Sequence, residues 1–201
     1  MTSQPRLILA SASPRRLEIL RAHGHLPEVY PSDTDEQLDA NLSLGSLPDA
    51  LESLALAKAD SVTRRLLAES VIANDETAFV VAADTVVYAD QVIGKPADRA
   101  QAIATLTLLS GRMHQVLTAV AVIRLPDGDV LLFTDTAEVS FAEYGLDEIT
   151  AFIDAEPPYD KAGSYAIQGI WGTQVTKISG DRETVIGLPY RRLAVALGLF
   201  G

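Results

Sequence analysis

The sequence predicts an α/β fold in which helices cover a mixed β-sheet. Three observations predict it: helical and strand patterns alternate along the 201 residues, one long hairpin interrupts the alternation, and 48% of residues are hydrophobic against 21% charged. A chain of this length can fill one substantial core, and no repeat or low-complexity tract divides it. Residues 1–201 are therefore expected to form a single domain.

The first half of the chain is expected to form a strand, a helix, an extended segment and a long helix. Residues 7–10 are an apolar run typical of a buried strand, with Ser13 as the N-cap and Pro14 as the first residue of the next helix. The stretch GHLPEVYPSDTDEQ (24–37) is typical of an extended segment that leads into an acidic loop. Residues 47–70 predict one long helix.

The second half predicts strands and helices in turn. The first elements are a central strand at 78–89 with a bend or bulge at Asp84, a helix from about 99 that Gly111 ends, and strands at 114–125 and 130–141 joined by PDGD. The later elements are a helix around 146–155, a loop at 156–169, a strand near 174–179, a turn at SGDRE and a final helix after GLP.

Charge and composition exclude several classes of protein. The net charge of −11 repels nucleic acid and acidic membranes, so neither is expected as a partner, and a polyphosphate would need local cations and a divalent metal. The chain has no cysteine, which excludes disulfides and thiolate metal sites. An early first strand leaves no room for a signal peptide, and no apolar run reaches the roughly 18 residues of a membrane span. A soluble cytoplasmic protein is expected.

Two arginines stand where a helix normally disfavours them. Arg15 and Arg16 fall in the first turn of the predicted helix, at the positive end of its dipole. A strand that runs through a small-residue turn into a helix N-terminus is also a ready anion site, so a bound phosphate would explain the pair. The alternative is that both are solvated surface residues.

Asp84 is the most informative single residue. It interrupts the apolar run VVAADTVV, where an unpaired buried charge is costly. Either a cation or metal neutralises it, or the strand opens there at a cleft. The residue is therefore expected to be a general base or a metal ligand, and the alternative is an aspartate that merely caps a bend.

Three lysines extend the cationic set. Lys58 lies on the apolar stripe of the long helix, as a snorkelling side chain or as one aimed into a cleft. Lys95 in IGKP and Lys161 in DKAG stand beside glycines, which let backbone approach a ligand closely. Together with the two arginines, these lysines favour binding of a metal-bound polyphosphate, because cations stabilise the charge on phosphoryl oxygens.

The sequence lacks the motifs of several other nucleotide-binding and catalytic protein classes. The sequence contains no Walker A motif and no GxGxxG, which weighs against P-loop and dinucleotide-binding proteins. The serines Ser11 and Ser13 have no visible catalytic triad. His114 is expected to be a structural residue at a strand edge rather than a ligand.

Eight segments together resemble the Maf family of nucleoside triphosphate pyrophosphatases. They occur in the family's order between residues 7 and 189: LILASASPRR, DTDE, LALAKA, AADTVV, IGKP, LSGRMHQVLTAV, DKAGSYAIQG and VIGLP. The resemblance implies hydrolysis between the α- and β-phosphates with a divalent metal, Mg²⁺ or Mn²⁺. It also implies an elongated twisted mixed sheet with helices around a deep cleft, similar to the inosine triphosphate pyrophosphatases.

The resemblance also implies roles for individual residues. Asp84 matches the proton acceptor, and Arg15, Thr85 and Gln168 match residues that set substrate choice. Asp84 and Glu36 are the implied metal ligands. The remaining matched cleft positions are Ser13, Arg16, Lys58, Lys95, Asp160 and Lys161.

The segment DKAGSYAIQG resembles the branch of the family that acts on dTTP and UTP. A glutamine amide offers the donor and the acceptor that a uracil or thymine edge requires. Ala166 and Trp171 depart from the branch pattern, so either could narrow the base pocket or add a stacking surface. The alternatives are the same reaction on 7-methyl-GTP or another modified nucleotide, and a nucleotide-binding regulator of septum formation with little turnover. A homodimer is left open.

Overall fold

A computed structural model describes residues 5–34, 38–73 and 75–199. Within these ranges a seven-strand sheet forms in the order β2-β1-β3-β5-β6-β7, and β4 pairs with β3. The strands are β1 (Arg6–Leu9), β2 (Glu28–Val29), β3 (Ala78–Tyr88), β4 (Val92–Ile93), β5 (Met113–Leu125), β6 (Asp129–Phe141) and β7 (Val175–Ser179). The sheet is mixed, as predicted, because β1 runs parallel to both β2 and β3 while the long β5–β6 hairpin and its neighbours are antiparallel.

Helices cover both faces of this sheet. They are α1 (Pro14–Ala22), α2 (Leu47–Ala68), α3 (Arg99–Leu109), α4 (Leu146–Ala155), α5 (Arg182–Ile186) and α6 (Tyr190–Leu199). Most bounds match the sequence prediction to within two residues. The elements that were not predicted are β4 and two short 3₁₀ helices, Ala162–Ser164 and Ile170–Gln174. In addition, α5 begins inside the predicted SGDRE turn, because the Asp181 side chain accepts the Glu183 N–H and caps a helix there. No helix in the described ranges is long and apolar enough to cross a membrane.

The alternation of β3 positions its two central polar residues on opposite faces. Val80 and Ala82 pack against α2 on one face, while Val81 and Ala83 join a second core under α1 and α6. Because side chains alternate along a strand, Asp84 points to the α2 face, as Val80 and Ala82 do, and Thr85 points to the face covered by α1 and α6. The predicted bend or bulge at Asp84 is wrong, because the β3–β5 register runs unbroken from one end of β3 to the other.

A third core lies at the far end of the sheet. There α3 and α4 pack with the ends of β3, β5 and β6. The loop at 156–169 joins this core through Tyr165 and Ile167, so that the predicted ligand-binding segment is carried on a packed support. The apolar stripe of α2, with Leu51, Ala55 and Val62, is fully buried as predicted.

Candidate active site

A gap along one edge of β3 creates the candidate site. On this edge β1 pairs with residues 78–81, and β4 pairs only with residues 87 and 88. In the part of the chain that the structure describes, no strand covers residues 82–86 on this side, because β1 ends and the chain turns away into α1. A cleft of about 240 Å³ opens there, at the carboxyl end of β1 and the N-terminus of α1. Ligand sites in α/β proteins favour such positions.

The floor of the cleft holds a buried charge pair. Lys58 Nζ donates to Asp84 Oδ2 at 3.0 Å, and the Thr85 N–H donates to Asp84 Oδ1 at 3.0 Å. Both charged residues are less than a tenth exposed. Lys58 is therefore not a snorkelling side chain at the edge of the core. Its ammonium neutralises the carboxylate from the α2 side, which explains how β3 tolerates Asp84 without a break.

Arg16 ties three segments together beside that floor. Its Nη2 donates to Thr85 Oγ1 at 3.2 Å, its Nη1 donates to Ser11 Oγ at 3.0 Å and its Nε donates to the Gly187 carbonyl at 2.8 Å. These acceptors belong to β3, to the β1–α1 loop and to the α5–α6 loop. Arg16 is half-buried, so it is not the solvated surface residue of the alternative interpretation.

The rim of the cleft carries a second, more open charge cluster. Arg15 Nη1 donates to Asp160 Oδ2 at 3.2 Å, and Lys161 Nζ donates to Asp160 Oδ1 at 2.7 Å. Burial by itself would raise the pKa of Asp160, but hydrogen bonds and charges from Lys161 and Arg15 outweigh it and hold the pKa below its ordinary value. Asp160 thus stays ionised and supplies the negative charge near the helix N-terminus.

The other matched residues lie at different depths. Ser13 occupies the N-cap of α1, as predicted, but its side chain makes no capping hydrogen bond, and its N–H donates to Ser11 Oγ at 3.2 Å. Exposed Lys95 and Gln168 line the mouth of the cleft. Lys58 is not among the described residues that line the cleft, but its ammonium binds Asp84, which is. Glu36, the second implied metal ligand, lies outside the described residues.

The far end of the cleft is apolar. Its lining includes Val87, Val116, Tyr165, Ala166, Ile167, Val185 and Ile186. Trp171 does not line the cleft; it is buried against Tyr144 and Phe152, so the expectation that it could add a stacking surface there is wrong. Ala166 does line this end, so it can shape the pocket as expected.

His114 lies behind this apolar end. It is buried inside the sheet rather than at an edge, and its Nε2 shares a 2.7 Å hydrogen bond with the Tyr165 hydroxyl. Burial lowers the pKa of His114 to about 4 and raises the pKa of Tyr165. Both side chains are therefore neutral near pH 7, and His114 is structural, as predicted.

Sequence reasoning missed several contributors. Ser11 and Thr118 take part in the hydrogen bonds around Arg16 and Thr85, and the Gly187 carbonyl also binds Arg16. A signal for Thr118 was available, because it interrupts the apolar run VLTAVAV as Asp84 interrupts VVAADTVV. No sequence pattern points to a backbone carbonyl such as that of Gly187.

The described residues contain no group of three or more histidine and acidic side chains able to hold a metal. Asp84 is the one predicted metal ligand among them. That donor set fits Mg²⁺ carried with a phosphate ligand, since Mg²⁺ keeps several waters and binds one or two carboxylates together with substrate phosphates.

The fold and the cleft define an α/β protein with a cation-lined cleft: cations line the rim, a carboxylate sits at the floor and an apolar end lies beyond. Residues 6–200 match the family model described as Maf-like protein, and the chain belongs to this family.

Relatives agree with this assignment over nearly the whole chain. A protein of Desulforamulus reducens named dTTP/UTP pyrophosphatase is 40% identical over 97% of this chain and 96% of its own length. Proteins with the same name from Caldicellulosiruptor bescii and Bacillus anthracis are 38% and 39% identical, over 98% and 97% of this chain and 95% of their own lengths.

Proposed function

We propose that this chain hydrolyses dTTP and UTP to the nucleoside monophosphate and pyrophosphate. The observation that carries the proposal is the cleft itself, which unites a buried carboxylate with cations from separate segments in a chain of net charge −11. Arg15, Arg16, Lys95 and Lys161 all line it. The names of the relatives support the choice of reaction and substrates.

Asp84 suits the role of proton acceptor. Hydrogen bonds from Lys58 and the Thr85 N–H fix the carboxylate, and its remaining lone pairs can accept a proton from water in the cleft. The water oxygen would bond to the α-phosphorus while the bond from that phosphorus to the bridging oxygen breaks. Pyrophosphate then leaves, and the cations at the rim stabilise its charge.

A divalent cation, Mg²⁺ or Mn²⁺, would supply neutralisation of phosphate charge when bound with the substrate. Asp84 is the described residue that would hold it, and Glu36 remains the second predicted ligand.

The base is proposed to lie towards the apolar end of the cleft. Gln168 at the mouth offers an amide donor and acceptor, as a pyrimidine edge requires, and Ala166 shapes the adjoining surface. Arg15 and Thr85 remain the other residues proposed to set substrate choice. We further propose that residues 1–201 act as one domain in the cytoplasm. A homodimer stays a prediction that light scattering tests.

The test is a screen of dTTP, UTP, dCTP, dGTP and 7-methyl-GTP for pyrophosphate release, with Mg²⁺, with Mn²⁺ and with chelator. We expect the highest kcat/KM for dTTP and UTP, and loss of turnover with chelator. In ¹⁸O-labelled water the label should enter the monophosphate, as attack at the α-phosphorus requires.

Three results would contradict the proposal. Release of diphosphate and orthophosphate would exclude α–β cleavage. Preference for 7-methyl-GTP would support the other branch. Tight nucleotide binding without turnover would support a regulator.

A further inference from the structure

A row of three polar side chains crosses the middle of the sheet. Thr85, Thr118 and Asp135 lie directly opposite one another on β3, β5 and β6, and therefore share one face. Thr118 has no exposed surface. A buried hydroxyl is costly unless it is hydrogen-bonded, so its partners indicate why it is there.

The number of hydroxyl hydrogens fixes the direction of the hydrogen bonds around Thr85 and Thr118. A threonine hydroxyl has one hydrogen, and Thr118 donates it to the Thr184 carbonyl at 2.8 Å. Thr85 must therefore be the donor in its 3.0 Å contact with Thr118 Oγ1. Its oxygen then accepts from Arg16 Nη2 at 3.2 Å, since a guanidinium can only donate.

The chain of bonds thus runs from Arg16 through Thr85 and Thr118 to the backbone of α5. Its far end is well anchored: Thr184 is fully buried, and its side chain is hydrogen-bonded to Asp135 rather than to Thr118. Because Thr118 takes up the single hydrogen of Thr85, the Thr85 oxygen is left as an acceptor aimed at Arg16.

We propose that Thr118 is a positioning residue for the reaction, acting on Arg16 through Thr85. It touches neither the cleft nor a ligand, since it is absent from the cleft lining. The inference rests on the proposed function, in which Arg16 and Thr85 belong to the nucleotide-binding cleft. Misplacement of a binding group by about 1 Å can lower the rate about a hundredfold. A buried hydroxyl that binds Thr85, and through it positions Arg16, can therefore affect the rate without touching the substrate.

The first experiment compares Thr118→Val, which removes the hydroxyl at nearly constant volume, with Thr118→Ser, which keeps it. We expect Thr118→Val to lower kcat/KM for UTP by about tenfold to a hundredfold, and Thr118→Ser to restore most of it. The matched control is Thr63→Val on α2, a buried threonine whose hydroxyl donates to the Ala59 carbonyl of its own helix. That control should keep the activity of the wild type.

A double-mutant cycle separates positioning from general damage to the fold. If Thr118 acts through Thr85, then Thr118→Val causes less than about a twofold further loss in a chain that already carries Thr85→Val. Independent, additive losses overturn the proposal. Wild-type kcat/KM in Thr118→Val, or an equal loss in Thr118→Ser, overturns it as well.

A second pair of variants covers the case in which Thr118→Val does not fold. Thr118→Cys and Thr118→Ser are similar in size, but a thiol is the weaker hydrogen-bonding group, and the chain has no other cysteine to pair with. Lower activity in Thr118→Cys than in Thr118→Ser supports the inference, and equal activity contradicts it.

The wild-type chain distinguishes this inference from the proposed function. If the wild type releases no pyrophosphate from any triphosphate, the proposed function fails. Calorimetry with a UTP analogue that carries a methylene between the α- and β-phosphates then tests Thr118 without turnover. Weaker binding to Thr118→Val than to Thr118→Ser supports the inference, and equal binding overturns it.

Discussion

The floor and the rim of the cleft hold the same kind of charge pair in different surroundings. At the floor, the Lys58 and Asp84 side chains are only 5% and 12% exposed and approach to 3.0 Å. At the rim, Arg15 approaches Asp160 to 3.2 Å, and these side chains are 23% and 60% exposed. The two pairs therefore differ most in how far the carboxylate is buried.

The difference in burial indicates which of these charged side chains can leave its ion-pair partner for a ligand. Removing one member of a buried pair leaves the other charge desolvated and unpaired, so the floor pair holds its geometry. An exposed pair is screened by water and salt and contributes less than about 1 kcal/mol. We therefore expect the rim cations to exchange Asp160 for a phosphate of the proposed substrate, while Asp84 stays in place.

The largest effect is expected from removing the charge at the floor. Asp84→Asn should lower turnover by about a hundredfold or more, because general-base contributions run to about 10²–10⁴. The measurement is kcat for UTP, with circular dichroism to show that the fold is kept. Asp154→Asn is the matched control, since Asp154 pairs with Arg99 on an exposed surface. Near-normal turnover in a folded Asp84→Asn chain would make the residue structural.

Removing the cation of the floor pair tests whether Lys58 holds the Asp84 carboxylate in place. Lys58→Met should lower kcat/KM by about tenfold to a hundredfold, because Asp84 loses the group that orients it. It should also lower the melting temperature, since a buried carboxylate then lacks its ammonium. Adding Asp84→Asn should recover part of that stability. Equal melting temperatures for the single and double variants would count against a tightly coupled pair.

His114 adds a third case to the comparison of floor and rim: it is buried like the floor pair but stays neutral. Its folded-state pKa of about 4 lies below the ordinary 6.5, so the unfolded chain binds more protons between these values. Stability must then fall as the pH drops through that window, by about 2 kcal/mol between pH 7 and pH 5. Urea unfolding at both pH values measures this fall in the free energy of unfolding. In His114→Gln the fall between pH 7 and pH 5 should be smaller by about 2 kcal/mol. The same pH dependence in both chains would contradict the prediction.

The smallest effects belong to the rim. Arg15→Lys should lower kcat/KM by severalfold and Arg15→Ala by about tenfold, because a lysine cannot reproduce the bidentate grip of a guanidinium on phosphate. Neither change should alter the free energy of unfolding by more than about 1 kcal/mol. Added salt should reduce the loss in Arg15→Ala. A variant that unfolds while its folded fraction keeps full activity would make Arg15 structural.

Much of this molecule could be predicted from local signals. The bounds of β3, α2, α4 and the hairpin follow from apolar periodicity and turn residues, which are properties of consecutive residues. Asp84 stood out because a charge inside an apolar run needs a partner. The same logic predicted a bend there and was wrong, because the partner came from α2 and the strand did not have to break.

The sequence by itself determined most of the helices and strands, the mixed sheet and the set of charged residues. The tertiary structure alone decided the pairing among them: Lys58 with Asp84, 26 residues away, Arg15 with Asp160, 145 residues away, and Arg16 with the Gly187 carbonyl, 171 residues away. It also decided that Arg16 is held within the protein while Arg15 stands at the rim, although the two are neighbours in the same helical turn. The reason is physical, since such contacts depend on strand register and helix placement, which no local pattern encodes.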